Sequence, residues 1–167
     1  YANRPGLDQI AQGLGGHMSV TGKPGEGPVR SGAAISDMTA GFLMAGGIMA
    51  ALLERHKSGE GQWLHTSLLQ AQIFLLDFQA ARWTVDGEVA PQEGNNHPTN
   101  VPMGTFKTED GYVNIAPMAS MWPKFCAVMG LEDMEQDENF ATAGARFNNR
   151  QDVDQRIEKA TGTQPTG

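Results

Sequence analysis

Ser36-Asp37-Met38-Thr39-Ala40-Gly41-Phe42-Leu43-Met44-Ala45-Gly46-Gly47-Ile48-Met49-Ala50-Ala51-Leu52-Leu53-Glu54-Arg55-His56-Lys57-Ser58-Gly59 decides the fold class. Ser36 and Asp37 are good capping residues at its start, and Arg55, His56 and Lys57 place positive charge where a helix dipole is negative. Ser58-Gly59 then supplies a stop. The stretch predicts a helix over 37–57. Its run free of charged or strongly polar residues, 41–53, is shorter than the ~20 apolar residues that span a bilayer. The expectation is therefore a core helix, covered on its apolar sides within a layered fold. Gly41, Gly46 and Gly47 each cost a helix up to ~1 kcal/mol relative to alanine, which points to close packing of another backbone against them.

Apolar residues at 7, 10, 11 and 14 mark one face of a helix. The glycine-rich stretch 13–32 reads as turns. After the long helix, 62–67 alternates as a strand does, and 68–83 reads as a second long helix stopped by Asp86-Gly87. Prolines, asparagines and glycines dominate 88–104, the composition of a connecting segment. Segments 104–107 and 112–116 flank Thr108-Glu109-Asp110-Gly111, a hairpin with an Asp-Gly turn. Helices are expected at 120–129, stopped by Gly130-Leu131, and at 152–160. In the first of these Trp122, Phe125 and Met129 form a core stripe, with Pro123 in the first turn.

The chain has 167 residues, 12 basic and 19 acidic, for a net charge of −7. An acidic protein is repelled by nucleic acid and by anionic membrane surfaces, so neither is expected as a partner. The one cysteine forms no internal disulfide, which points to the cytoplasm. His17, His56, His65 and His97 share no metal-ligand spacing, and no metal is expected. Cys126 sits mid-helix with no neighbouring base and reads as a small core residue. The runs Gly13-Leu14-Gly15-Gly16 and Gly25-Glu26-Gly27 lack the Gly-Lys-Ser/Thr ending of a phosphate loop. Tyr1 in place of Met, and a terminus of small polar residues, give the chain the look of an internal fragment.

Asp37 is the informative acid. It lies among small residues at the start of an apolar helix, where free N–H groups and the dipole favour negative charge. Local physics leaves two readings open: an N-cap worth ~1 kcal/mol, or a working carboxylate. The wider pattern bears on the choice. Arg4-Pro5-Gly6-Leu7-Asp8, Ile10-Ala11-Gln12, Gly16-His17-Met18-Ser19-Val20-Thr21-Gly22, the Asp37 stretch, Ala50-Ala51-Leu52-Leu53-Glu54-Arg55 and Gly59-Glu60-Gly61-Gln62 resemble the class III coenzyme A transferases. The likeness continues through Asn95-Asn96-His97-Pro98, Phe106-Lys107-Thr108 with Asp110-Gly111-Tyr112, and Met121-Trp122-Pro123.

The resemblance implies an α/β fold: 1–87 as the middle of a Rossmann-like large domain, 88–103 as a linker, and 104–167 as part of a small α+β domain. It implies an enzyme that transfers coenzyme A from an acyl-CoA donor to a small carboxylic acid. Asp37 would be the nucleophile, passing through an anhydride and an aspartyl thioester, with oxyanion donors at the N–H groups of Met38 and Thr39. Coenzyme contacts are implied at Arg4, Asp8 and Leu68, with coenzyme A as substrate and no tightly bound cofactor. Full-length members form interlocked homodimers, so the isolated chain is expected to be inactive. Racemases of the same superfamily are an alternative, but they use a histidine where this chain has Leu7, and leucine moves no proton; His17 and His65 are the other histidines to consider. A second alternative is an inactive structural piece. The run Glu93-Gly94-Asn95-Asn96-His97-Pro98-Thr99 replaces the glycine run of the oxalate-specific members and argues against oxalate as acceptor.

Overall fold

The computed structural model describes residues 5–167 and divides the chain into two compact units, one ending at Gly94 and one spanning Asn95–Gly167. The first unit holds α1 (Asp8–Leu14), α2 (His17–Val20), α3 (Ile35–Ser58), α4 (Leu68–Phe74) and α5 (Phe78–Asp86). The second holds β1 (Gly104–Lys107), β2 (Tyr112–Ile115), a 3-10 turn at Ala119–Met121, α6 (Trp122–Met129), α7 (Glu132–Gln136), α8 (Ala143–Asn148) and α9 (Arg150–Thr161).

The long helix forms and begins two residues earlier than expected, with Ala34 as N-cap. It ends at Gly59, whose left-handed φ of 76° suits glycine and whose N–H bonds the Arg55 carbonyl at 2.8 Å. The described residues leave most of the helix uncovered: among α3's residues only Ser36 and Ala40 are buried, while Phe42 is 73 % and Leu53 70 % exposed. Open space lies within 4 Å of the Cβ positions of Gly41 and Gly46. At 24 residues the helix also has the length and composition of a membrane-crossing segment, which the shorter run 41–53 did not suggest.

Other expectations need correction. Residues 62–67 form no strand, because a strand is held by its ladder and the β1–β2 pair is the sheet among the described residues. The Rossmann-like parallel sheet is accordingly not seen there; the architecture is helices with a small two-stranded sheet. The second long helix breaks into α4 and α5. Leu76 and Asp77 close 3-10 bonds to Ile73 and Phe74, and Asp77 takes a φ of 48°, a value that stops helix propagation. Ser67 caps α4 by accepting the Gln70 N–H at 3.1 Å, and Asp86 is the last residue of α5 before left-handed Gly87.

In the second unit the hairpin forms in the register Gly104↔Ile115 to Lys107↔Tyr112, closed by Thr108 N–H donating to the Gly111 carbonyl. Phe106, Trp122, Cys126, Met134, Val153 and Ile157 make its core, with Phe125 and Met129 packed against it as the helical stripe predicts. The Thr161 hydroxyl donates to the Lys107 carbonyl at 2.7 Å and pins α9 to β1. Two short helices had no periodic signal: α7, which buries Met134 completely, and α8, capped by Thr142. Arg146 of α8 is buried, donates to the carbonyls of Val101 (3.0 Å) and Phe140 (2.8 Å), and lies over the Trp122 ring at 4.4 Å.

Cys126 is fully buried. Burial, followed by the negative charge of Glu135, pushes its thiol up to about 11. A thiol with a raised value stays protonated throughout the neutral range, and the thiolate is the reactive species. Alkylation by iodoacetamide at pH 8 is therefore expected to follow global unfolding in a urea series; fast labelling of the native protein would contradict this burial.

Candidate functional site

The first turn of α3 carries Asp37, and its geometry is set by side chains far away in sequence. A helix leaves its first four N–H groups without intrahelical acceptors. The N-cap residue Ala34 has no side-chain acceptor to offer the helix. The cap comes from α1, where Asp8 Oδ1 accepts the Ser36 N–H at 2.9 Å. Asp8 Oδ2 accepts Gln12 Nε2 at 2.7 Å, the i to i+4 spacing that puts both side chains on one face of α1. Gln12 is fully buried. It also donates to the Ala33 carbonyl at 3.3 Å and accepts the Ser31 N–H at 2.8 Å. The loop entering α3 is thus tied to α1 at residues 31, 33 and 36.

The other side of the turn is held from α4. Ser36 Oγ, fully buried, donates to Gln72 Oε1 at 2.6 Å. Gln72 is itself fully buried, and its Nε2 has no hydrogen-bond partner among the described residues. Leaving such a donor unsatisfied costs ~1–3 kcal/mol. Gln72 crosses Gly15 closely: a Cβ at Gly15 would stand 2.5 Å from Gln72 Cγ and 2.9 Å from its Cβ. Only a residue without a side chain fits there.

Asp37 is the third residue of α3 rather than its cap, and it is solvent exposed. No hydrogen bond or ion pair engages its carboxylate among the described residues. The Met38 N–H donates to the Ala34 carbonyl at 3.1 Å, and Thr39 lies one further along the same helical pattern. These two amides are spent inside the helix, against the expectation that they face an oxyanion. Of the first-turn donors, Ile35 N–H goes to the Ala33 carbonyl and Ser36 N–H to Asp8. The Asp37 N–H has no acceptor among the described residues.

Arg4 lies outside the described residues. Leu68 is the half-buried first residue of α4, with its Cδ1 4.0 Å from the Cβ position of Gly6. Leu7, the N-cap of α1, is 63 % exposed. His17 opens α2; burial, opposed by the charge of Asp8, holds its imidazole below the usual value. His65 is exposed on the stretch before α4, which has no regular secondary structure. Among the described residues no group of three His, Cys, Asp or Glu side chains could hold a metal. Gln12 and Gln72 were missed as site residues. The i to i+4 spacing of Asp8 and Gln12, and of Leu68 and Gln72, was the one signal that could have found them.

A family model described as CoA-transferase family III matches residues 1–167. The succinyl-CoA:mesaconate CoA-transferase of Haloarcula hispanica is 35 % identical over 161 residues, which are 96 % of this chain and 40 % of that protein. The succinate–glutarate CoA-transferase of Agrobacterium fabrum is 33 % identical over 162 residues, again 96 % of this chain and 40 % of that protein. A crystal structure of a CAIB/BAIF family protein from Brucella suis superposes with a TM-score of 0.83 at 32 % identity, covering 99 % of this chain and 44 % of that one. The chain spans about 40 % of the length of these curated relatives.

Proposed function

The chain belongs to CoA-transferase family III, and from that premise we propose that the whole protein moves coenzyme A from an acyl-CoA donor to a carboxylic acid through a covalent intermediate on Asp37. Relatives named for succinyl-CoA, mesaconate, succinate and glutarate support short dicarboxylic acids as the substrate class. The observation that carries the nucleophile assignment is the contrast at residues 36 and 37: Ser36 is locked at two atoms, while the next side chain is an exposed carboxylate with no partner among the described residues.

The steps follow from that carboxylate. An Asp37 oxygen attacks the donor's thioester carbonyl, the C–S bond breaks, and coenzyme A leaves as a thiolate, with a mixed anhydride left on Asp37. The thiolate attacks the aspartyl carbonyl, the anhydride C–O bond breaks, and the donor acid departs from an aspartyl thioester. The acceptor carboxylate then attacks that thioester and displaces the thiolate, which attacks the acceptor's carbonyl and frees both Asp37 and the new acyl-CoA. The N–H of Asp37, which has no acceptor among the described residues, is a first-turn donor for a developing oxyanion. No step calls for a tightly bound cofactor.

In this reading Asp8 stands beside the nucleophile, Leu68 borders the pantetheine arm, and Arg4 serves the coenzyme. Residues 1–87 belong to a Rossmann-like large domain, 88–103 to a linker and 104–167 to a small domain, in an interlocked homodimer of the cytoplasm. The racemase reading is not favoured, because the relatives compared above are transferases by name and Leu7 carries no titratable group.

Trapping tests the proposal. Incubation of the whole protein with succinyl-CoA and no acceptor, followed by hydroxylamine, should convert Asp37 to a hydroxamate that peptide mass spectrometry locates. An unmodified Asp37 beside a modified carboxylate elsewhere would overturn the assignment.

A further inference from the structure

We infer that Ser36 and Gln72 are positioning residues for the nucleophile, fixing the turn that presents Asp37; this rests on the reading of Asp37 given above. The first turn of a helix is its weakest part, because its amides lack intrahelical partners and its ends open first. A reacting carboxylate there has to be held to within ~0.5 Å. Ser36 precedes it by one residue and is gripped from two helices: its N–H by Asp8 of α1 at 2.9 Å and its hydroxyl by Gln72 of α4 at 2.6 Å.

Gln72 is a poor choice for stability alone. Its amide is fully buried and its nitrogen has no partner among the described residues, so an apolar side chain of the same length would suit the packing better. What glutamine adds at this place is the bond to Ser36. Its stem also passes close against bare Gly15, where a Cβ would stand 2.5 Å from Gln72 Cγ. Gly15, Gln72 and Ser36 form one mechanical line ending at the residue before Asp37.

The test uses Gln72→Met and Ser36→Ala in the whole protein, singly and together, with Gly15→Ala as a push on Gln72 from behind. In folded variants kcat should fall ~10–100-fold, since a small misplacement of a reacting group costs up to ~10²-fold. KM for the acyl-CoA donor should hold within about twofold, and the rate of adduct formation on Asp37 should fall in step with kcat. The double variant should lose no more than the worse single one, because both remove the same bond. Ser36→Ala, the smaller change, carries the test where Gln72→Met lowers the melting temperature. Folded Ser36→Ala and Gln72→Met proteins with kcat near the parent's, or with the loss confined to KM, would overturn the inference while leaving Asp37 as nucleophile. Retained transfer in Asp37→Asn would instead sink the nucleophile reading and this inference with it.

Discussion

Asp37→Asn should reduce coenzyme A transfer by ~10³-fold or more, equivalent to ~4 kcal/mol of transition-state stabilisation, while the protein stays folded and binds coenzyme A about as before. The amide is isosteric but supplies no anionic nucleophile, so neither the anhydride nor the thioester can form. Stability should barely change. Asp37 is exposed, caps nothing and has no hydrogen-bond partner among the described residues. What is lost is a charge near a helix N-terminus, worth ~0.3–1 kcal/mol at an exposed position. Steady-state transfer from succinyl-CoA, a urea titration and coenzyme A calorimetry on one preparation separate the two effects. Near-normal transfer would return Asp37 to an ordinary helix-start aspartate.

Trp122→Ala should destabilise the protein by ~3–5 kcal/mol, the usual cost of removing a large buried aromatic. The ring is 4 % exposed, stacks on Phe125 with centroids 5.7 Å apart, and lies under the Arg146 guanidinium. Alanine would leave a void and strip the cation of its aromatic face. One term opposes this: Trp122 Nε1 is buried without a partner among the described residues, so removal of the indole also removes an unsatisfied donor. Trp122→Phe, which keeps much of the packing and discards that donor, should therefore cost far less than alanine. Urea midpoints of both variants test the order, and turnover per folded molecule should be unchanged. Lost turnover with an unchanged midpoint would place Trp122 in the reaction instead of the core.

The features legible from the chain were those specified within a few residues. The long helix announced itself by its apolar run and by Gly59 behind three basic residues, and the hairpin by Asp110-Gly111 between two short apolar segments. What misled were features completed from elsewhere. Residues 62–67 have the alternation of a strand, but a strand needs a ladder partner. The break at Asp77 has no glycine or proline to signal it. Helices α7 and α8 are shorter than two turns, too short to show a period.

The site divides the same way. Asp37 stood out through the family likeness, whereas local reasoning offered it as a cap. The acceptor that caps α3 is Asp8, separated from Ser36 by 28 positions, and no local pattern announces a bond of that range. Gln12 and Gln72 look like ordinary helix-surface polar residues until the fold buries them. Their amides gain meaning only from what α1, α3 and α4 bring together.

Among the described residues, the bonds that hold the Asp37 turn begin and end between Asp8 and Gln72, inside the unit that ends at Gly94. For recombination this is a favourable arrangement. A crossover placed after Gly94 would carry Asp37 together with these bonds, so chimeras that borrow residues 95 onward from a relative should retain the turn, one end of the sequence bringing its own scaffolding with it.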